Sequence, residues 1–228
     1  GEVGEVFPYF WGWKTDGVFQ NWDEINSYVN AEGNKIQPNA QPGDFRWKDI
    51  DGNGVINDND RTKLGKGIPD WTYGLTLTMD WKGFDFSMLL QGQLGAQTLN
   101  VTRRTDLYYI NLPKTILNRW TGEGSTNEYP RFAFDSANEN YRVSDYWMED
   151  ASFLRARNIQ LGYTLPVNLT KKAFISRLRV YAQVENAFTL TKYSGCDPEV
   201  SGGFKEVGVD RGVYPQSRTV TFGINLTF

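Results

Sequence analysis

Between Asp49 and Asp60, oxygen-bearing side chains recur at alternate positions around a glycine, in the run DIDGNGVINDND. Laid on a twelve-residue calcium loop, Asp49 stands at position 1, Asp51 at 3, Asn53 at 5, Asn57 at 9 and Asp60 at 12. Val55 at position 7 offers its carbonyl, and Gly54 holds position 6, where the chain must turn sharply. Calcium takes about six to eight hard oxygens at about 2.3–2.6 Å, and this spacing wraps one such ion. Aspartate at the closing position reaches less far than glutamate, so the loop must close tightly or offer one carboxylate oxygen. Asp58 points away. Magnesium, which demands a stricter octahedron, comes second. The competing reading is an Asx- and Gly-rich turn that holds no ion. No nucleophile or base adjoins the run, so the expected calcium role is structural.

Other chemistry is sparse. The chain has no histidine, which removes Ser–His and Cys–His catalysis and His-ligated metals. The single cysteine, Cys196, forms no disulfide within the chain and reads as a tolerated loop residue. Asp145, Glu149 and Asp150 have the residue types of a hydrolytic carboxylate pair, but nothing else points to hydrolysis and acidic surface is the simpler reading. Glycosylation-type triplets at Asn100, Asn168 and Asn225 are uninformative, two of them lying in or near predicted strands. A net charge of −3 over 228 residues leaves no basic face for nucleic acid. No enzyme is expected.

The elements around the loop read as strands. In RTVTFGINLTF, Val220, Phe222, Ile224, Leu226 and Phe228 alternate with Thr219, Thr221, Gly223, Asn225 and Thr227. In WTYGLTLTMDW, Trp71, Tyr73, Leu75, Leu77, Met79 and Trp81 share a face. The turn Lys82-Gly83 leads to Phe84, Phe86, Met88 and Leu90, which makes a hairpin. Aromatics sit at the ends of these apolar faces and aliphatics in the middle, the order of an interfacial belt flanking a hydrocarbon band. Farther on, Phe153, Ile159, Leu161, Tyr163 and Leu165 share a register that also contains Arg155 and Arg157. These two arginines are expected beyond the bilayer or beside a loop. Leu178, Val180, Ala182, Val184, Phe188 and Leu190 alternate with Arg179, Tyr181, Gln183 and Glu185, whose charge suits a water-filled lumen.

The opening GEVGEVFPYFWGW shows no basic start and no apolar core of a signal peptide, and no run of about 18 apolar residues predicts a transmembrane helix. Mean hydropathy, −0.52, is blind to a barrel, in which only alternate residues face lipid. Turns at 82–83 and 166–176 are short, whereas 14–69, 97–150 and 193–216 are long. Short turns and long extracellular loops are the order of outer-membrane barrels. Strands are therefore expected near 5–13, 70–81, 84–96, 151–165, 177–192 and 217–228, with the three long segments outside. Six strands leave two open edges in lipid, so the expected fold is all-β: an antiparallel transmembrane β-barrel segment, residues 1–228 forming one portion of a larger barrel. Tyr9, Phe10, Trp11 and Trp13 are expected in an interfacial belt, with sugar stacking as the lesser reading. Tyr108, Tyr109, Trp120, Tyr129, Tyr141, Tyr146 and Trp147, in or beside the long segment at 97–150, are expected to line a substrate path, to contact a partner protein or to pack on one another.

The stretches WGWKTDGVFQNWDEINSY, PGDFRWKDIDGNGVINDNDRTKLGKGIPDWTYGLTLTMDWKGFDFSMLLQGQLG, YRVSDYWMEDASFLRARNIQLGYTLP, RLRVYAQVENAFTLTKYSGCDPEV and YPQSRTVTFGINLTF together resemble the carboxy-terminal part of a SusC/RagA-family TonB-dependent transporter. The resemblance covers almost the whole chain. It implies a 22-strand outer-membrane barrel with an amino-terminal plug, a SusD-like surface lipoprotein as lid, and import of glycans or peptides driven through TonB. Plug and TonB box are not among these residues, and Phe228 resembles the terminal aromatic read by the barrel-assembly machinery. The rival expectation is a secreted soluble β-sheet glycan-binding module with a calcium loop, which would bury one face of its sheet and fold without detergent.

Overall fold

The computed structural model describes residues 3–104, 111–133, 137–200, 202–203 and 206–228. In chain order the elements are β1 (Tyr9–Gly12), β2 (Thr15–Val18), α1 (Trp22–Ser27), β3 (Phe45–Trp47), β4 (Thr62–Lys66), β5 (Trp71–Trp81), β6 (Phe84–Leu94), β7 (Gln97–Asn100), β8 (Met148–Asp150), β9 (Phe153–Thr164), α2 (Val167–Thr170), β10 (Arg177–Glu185), β11 (Thr189–Thr191), β12 (Val209–Asp210) and β13 (Thr219–Thr227). They fall into two compact units. One comprises Gly1–Ile68, Gln97–Glu149 and Val200–Gly212; the other comprises Pro69–Ala96, Asp150–Glu199 and Val213–Phe228.

The second unit is an antiparallel sheet in the order β13-β10-β9-β6-β5, with β11 also paired to β9. The β5–β6 turn is tight because Lys82 and Gly83 both take positive φ, 48° and 90°, the backbone twist that suits a two-residue hairpin. Register carries the alternation of each strand across the sheet. Trp81, Phe84, Tyr163, Val180 and Ile224 form one row; Met79, Phe86, Leu161, Ala182 and Phe222 the next; Leu77, Met88, Ile159, Val184 and Val220 a third. The face is apolar from edge to edge, yet Met79 is 63% exposed, Leu161 52% and Phe222 79%. On the opposite face Thr78, Ser87, Gln160, Gln183 and Thr221 make a row of hydroxyls and amides. No helix among the described residues is long and apolar enough to cross a membrane.

Three strand expectations need correction. Residues near 5–13 do not join this sheet: Tyr9–Gly12 pairs with Thr62–Lys66 in a two-stranded sheet of the first unit. The expected strand at 177–192 is broken after Glu185, where Asn186 takes φ 50° and the chain resumes pairing with β9 at Thr189. The third concerns Arg155. Register along β6 passes from Leu89 opposite Asn158 to Leu90 opposite Ala156, so Arg157 is the extra residue of a β-bulge. The bulge exchanges the faces of everything before it. Arg155 therefore lies opposite Gln91 on the polar face, not with Ile159 and Leu161. There its guanidinium, 2% exposed, reaches Asp197 at 2.6 Å and Glu199 at 3.0 Å. Arg157 meets Glu199 at 2.6 Å and Gln91 at 3.0 Å. Both arginines do stand beside a connecting segment, as expected.

The first unit is built from short pieces. Val18, Phe45 and Trp47 form one core with Trp13, Ile56, Trp120 and Tyr146 packed against it, and Phe19, Ile25 and Ala40 form another with Tyr28. Asn21 caps α1 by accepting from the Glu24 amide at 3.0 Å. Asp44, fully buried, is matched by Arg131 at 2.6 Å and Asn140 at 2.8 Å.

Candidate metal centre

The Asp49–Asp60 segment is wound by its own side chains. Asp49 accepts from the Gly52 and Gly54 amides at 2.8 and 2.7 Å. Asp51 accepts from the Asn53 amide at 3.1 Å, Asn53 from that of Val55 at 2.9 Å, and Asn57 from that of Asn59 at 2.8 Å. These are successive Asx turns, local closures that compete with helix and strand and keep the segment irregular. Asp60 joins the two ends, taking the Ile50 amide at 2.8 Å and the Asn57 amide at 2.7 Å. Gly54 has φ 79°, and a Cβ there would stand 2.4 Å from the Cβ of Asn30. Glycine is required both by the backbone and by this packing.

Carboxylate oxygens of Asp49, Asp51 and Asp60 lie within 4.8 Å of one another. Three of the six expected ligands thus converge. Asn53, Val55 and Asn57 spend their polar atoms locally: the Asn53 amide nitrogen donates to Asp51 at 2.8 Å, and that of Asn57 donates to the Val55 carbonyl at 3.1 Å. Asp60 is fully buried, Asp49 half-buried and Asp51 exposed. Among the described residues no lysine or arginine is paired with any of the three, while neighbouring Arg61 meets Asp58 at 3.9 Å. At about 4.8 Å, two carboxylates repel by about 1 kcal/mol in water and by about 3 kcal/mol at an effective dielectric near 20. A hard divalent cation would turn this repulsion into attraction, and the donor set, all carboxylate and carbonyl oxygen, fits calcium chemistry.

Two supports of the loop carry no sequence signal, because they act from a distance along the chain. Asn30 packs against Gly54, and the Trp13 indole donates to the Asn57 carbonyl at 3.1 Å. Trp13 is itself held between the guanidiniums of Arg61 and Arg142, at 4.9 and 4.8 Å from the ring. The Tyr28 phenol lies close by. Burial pushes it up, the Asp49 backbone lowers it and the Asp49 carboxylate raises it again.

The remaining candidates resolve into packing. Tyr9, Phe10, Trp11 and Trp13 stand in the first unit, where β1 pairs with β4. Tyr146 packs on Phe45 at 5.0 Å and edge-on to Tyr129 at 5.9 Å, and burial pushes its phenol up to about 12. Trp147 stands edge-on to Tyr146, and Trp120 donates to Gln20 at 3.2 Å. Tyr141 is 44% exposed, and Tyr108 and Tyr109 lie outside the described residues. The three acids are occupied structurally. Asp145 accepts from the Thr15 amide and hydroxyl at 3.0 Å, Glu149 meets Arg103 at 3.3 Å, and Asp150 accepts from the Ser152 amide at 2.9 Å.

No protein-family model matches the chain. A TonB-dependent receptor of Formosa agariphila is 31% identical over 237 residues, covering 99% of this chain and 23% of the relative. The TonB-dependent receptor SusC of Bacteroides thetaiotaomicron is 34% identical over 197 residues, 83% of this chain and 18% of SusC. Among solved structures, the RagAB peptide importer in its open-open state superposes with a TM-score of 0.69 at 24% identity, covering 96% of this chain and 22% of that one. The chain spans less than a quarter of the length of each of these three proteins. Along nearly all of its own length, this chain is a homologue of TonB-dependent receptors of the SusC/RagA kind.

Proposed function

We propose that this chain supplies wall and loops to an outer-membrane TonB-dependent transporter. The observation that carries the reading is the apolar face of the sheet, continuous from β5 to β13, on which Met79, Trp81, Leu161, Val180, Phe222 and Ile224 are all exposed. In water, so large a patch would drive aggregation; against lipid tails it is the surface a barrel requires. Its dimensions fit. From first to last of the 11 residues of β5, the rises of about 3.4 Å between neighbours and a tilt near 40° span about 26 Å, close to a barrel's apolar band. Trp81, Phe84 and Tyr163 at one end and Trp71 and Tyr73 at the other have the placement of interfacial girdles. The outer edges of β5 and β13 have no partner strand among the described residues. Since unpaired backbone groups in hydrocarbon each cost several kcal/mol, further strands complete the wall on both sides. A soluble glycan-binding module, which needs one face covered, is disfavoured by the same exposure.

In the full transporter, 22 strands enclose a plug, a SusD-like lipoprotein covers the outer mouth, and energy arrives through TonB. The cargo is an oligosaccharide or a peptide. The long segments face outward, and the loop from Asp49 to Asp60 holds a structural calcium ion through Asp49, Asp51 and Asp60, with Asn53, Val55 and Asn57 as added ligands on closure. The chain performs binding and transport, not catalysis. The test is detergent extraction of the membranes that express it. Co-purification with a barrel-sized polypeptide and a lipoprotein supports the reading; a folded, detergent-free 26.1 kDa monomer overturns it.

A further inference from the structure

The connection between β9 and β10 is unlike the other connections of the sheet. Leu165–Ser176 contains two lysines, Lys171 and Lys172, and no acid. It is also short of cover: Val167 is 55% exposed, Leu169 68% and Phe174 88%, and both lysines are exposed. The residues at its root are fixed. The Thr164 amide donates to the Gly83 carbonyl at 2.7 Å, the Leu165 amide to that of Leu178 at 2.9 Å, and the Ser176 amide to that of Thr227 at 2.8 Å. The connection therefore leaves the sheet at the same end as the Lys82-Gly83 turn, beside the row Trp81, Phe84 and Tyr163. At that end the Lys82 ammonium lies 4.9 Å over the Trp81 ring.

β9 and β10 are inner strands of the sheet, so strands added at either edge do not reach this connection. Its exposed apolar residues and its lysines stand past the aromatic row, at the end of the sheet where apolar stems can lie along lipid and ammoniums reach phosphate. On the barrel reading of the preceding section, we infer that Leu165–Ser176 is a membrane foot: Val167, Leu169 and Phe174 enter the leaflet on the short-turn side, while Lys171 and Lys172 hold the phosphates of anionic phospholipids. Each lysine near an anionic leaflet contributes a factor of about five to lipid preference, hence about 25-fold for the pair.

The test uses the complete transporter in nanodiscs of phosphatidylcholine or phosphatidylglycerol carrying photoreactive acyl chains, with labelled peptides mapped by mass spectrometry. Expected are labels on the β5 and β6 peptides in both lipids, and on the 166–174 peptide with a strong preference for phosphatidylglycerol. Replacing Lys171 and Lys172 together by Gln should bring that preference to about one. Phe174→Ser should reduce acyl labelling of the same peptide severalfold without altering the strands. Labelled strands with an unlabelled 166–174 peptide overturn the foot alone, and equal labelling in the two lipids overturns the phosphate contact. Absence of label from the strands as well overturns the barrel reading beneath it.

Discussion

Replacing Asp51 by Asn separates an ion site from an ordinary turn, because the two readings give effects of opposite sign. Asp51 is the exposed member of the carboxylate cluster, and among the described residues its oxygens accept from Asn53 alone. The carboxamide that replaces the carboxylate retains an oxygen for the Asn53 backbone N–H. Without calcium, Asp51→Asn removes two repulsions at about 4.8 Å, each about 1 kcal/mol once solvent screening at this exposed site is allowed for. The empty loop should thus become more stable, and exchange of its amides about thirtyfold slower. With calcium the order reverses. An extracellular site with a dissociation constant of about 0.1–1 mM gains about 1.4–2.7 kcal/mol at about 10 mM calcium, or roughly ten- to hundredfold slower exchange. The variant should lose most of that gain. The assay is hydrogen exchange of the Asp49–Asp60 peptide in the complete, detergent-solubilised transporter, with calcium and with chelator. The Gly54 and Asn57 amides are the reporters, since both donate to cluster carboxylates. If calcium changes their exchange by less than twofold in the native protein, the segment is only a chain of Asx turns and the metal assignment is wrong.

Other consequences can be checked on the same material. Arg155→Met leaves Asp197 buried without its cation, which should loosen the 193–199 segment by about 3 kcal/mol, read as on the order of hundredfold faster exchange there. The Asp197 carboxyl is pushed up by burial, but the Gln216 and Glu199 amides and Arg155 outweigh this and hold it below the usual carboxylate range. Its contribution is therefore complete above the unfolded value near 3.9 and lost as pH falls through the depressed folded value, so exchange in 193–199 should accelerate only below about pH 4. Leu77→Arg, on the apolar face, should lower stability in bilayers by about 2–4 kcal/mol in denaturant titrations, and Thr78→Arg much less; equal tolerance would contradict a lipid-facing surface. A Cβ at Gly223 would stand 2.2 Å from the Tyr181 ring, so Gly223→Ala should impair β13 pairing and barrel yield. Tyr181→Ala in the same chain should restore it.

What could be read without coordinates was whatever depends on near neighbours in sequence. Alternation set the two faces of β5, β6, β10 and β13 because side chains in an extended strand point to opposite sides by geometry alone. The Lys82-Gly83 turn was legible for the same reason, as was the order of oxygen donors from Asp49 to Asp60. Tertiary structure decided the rest. Alternation cannot register an added residue, so the bulge at Arg157, which moves Arg155 to the polar face and gives it Asp197 and Glu199, emerges only where β9 meets β6. Tyr9–Gly12 is a strand, as its neighbourhood in sequence suggested, yet its partner is Thr62–Lys66, because pairing depends on which distant edge is within reach. The spacing of six donors stated which residues could surround an ion. That Asp49, Asp51 and Asp60 converge while Asn53, Val55 and Asn57 bond one another follows from Asp60 closing onto the Ile50 amide and from Asn30 and Trp13 holding the loop. The Asn30 and Trp13 contacts join residues far apart in the chain, and local spacing contains no trace of them.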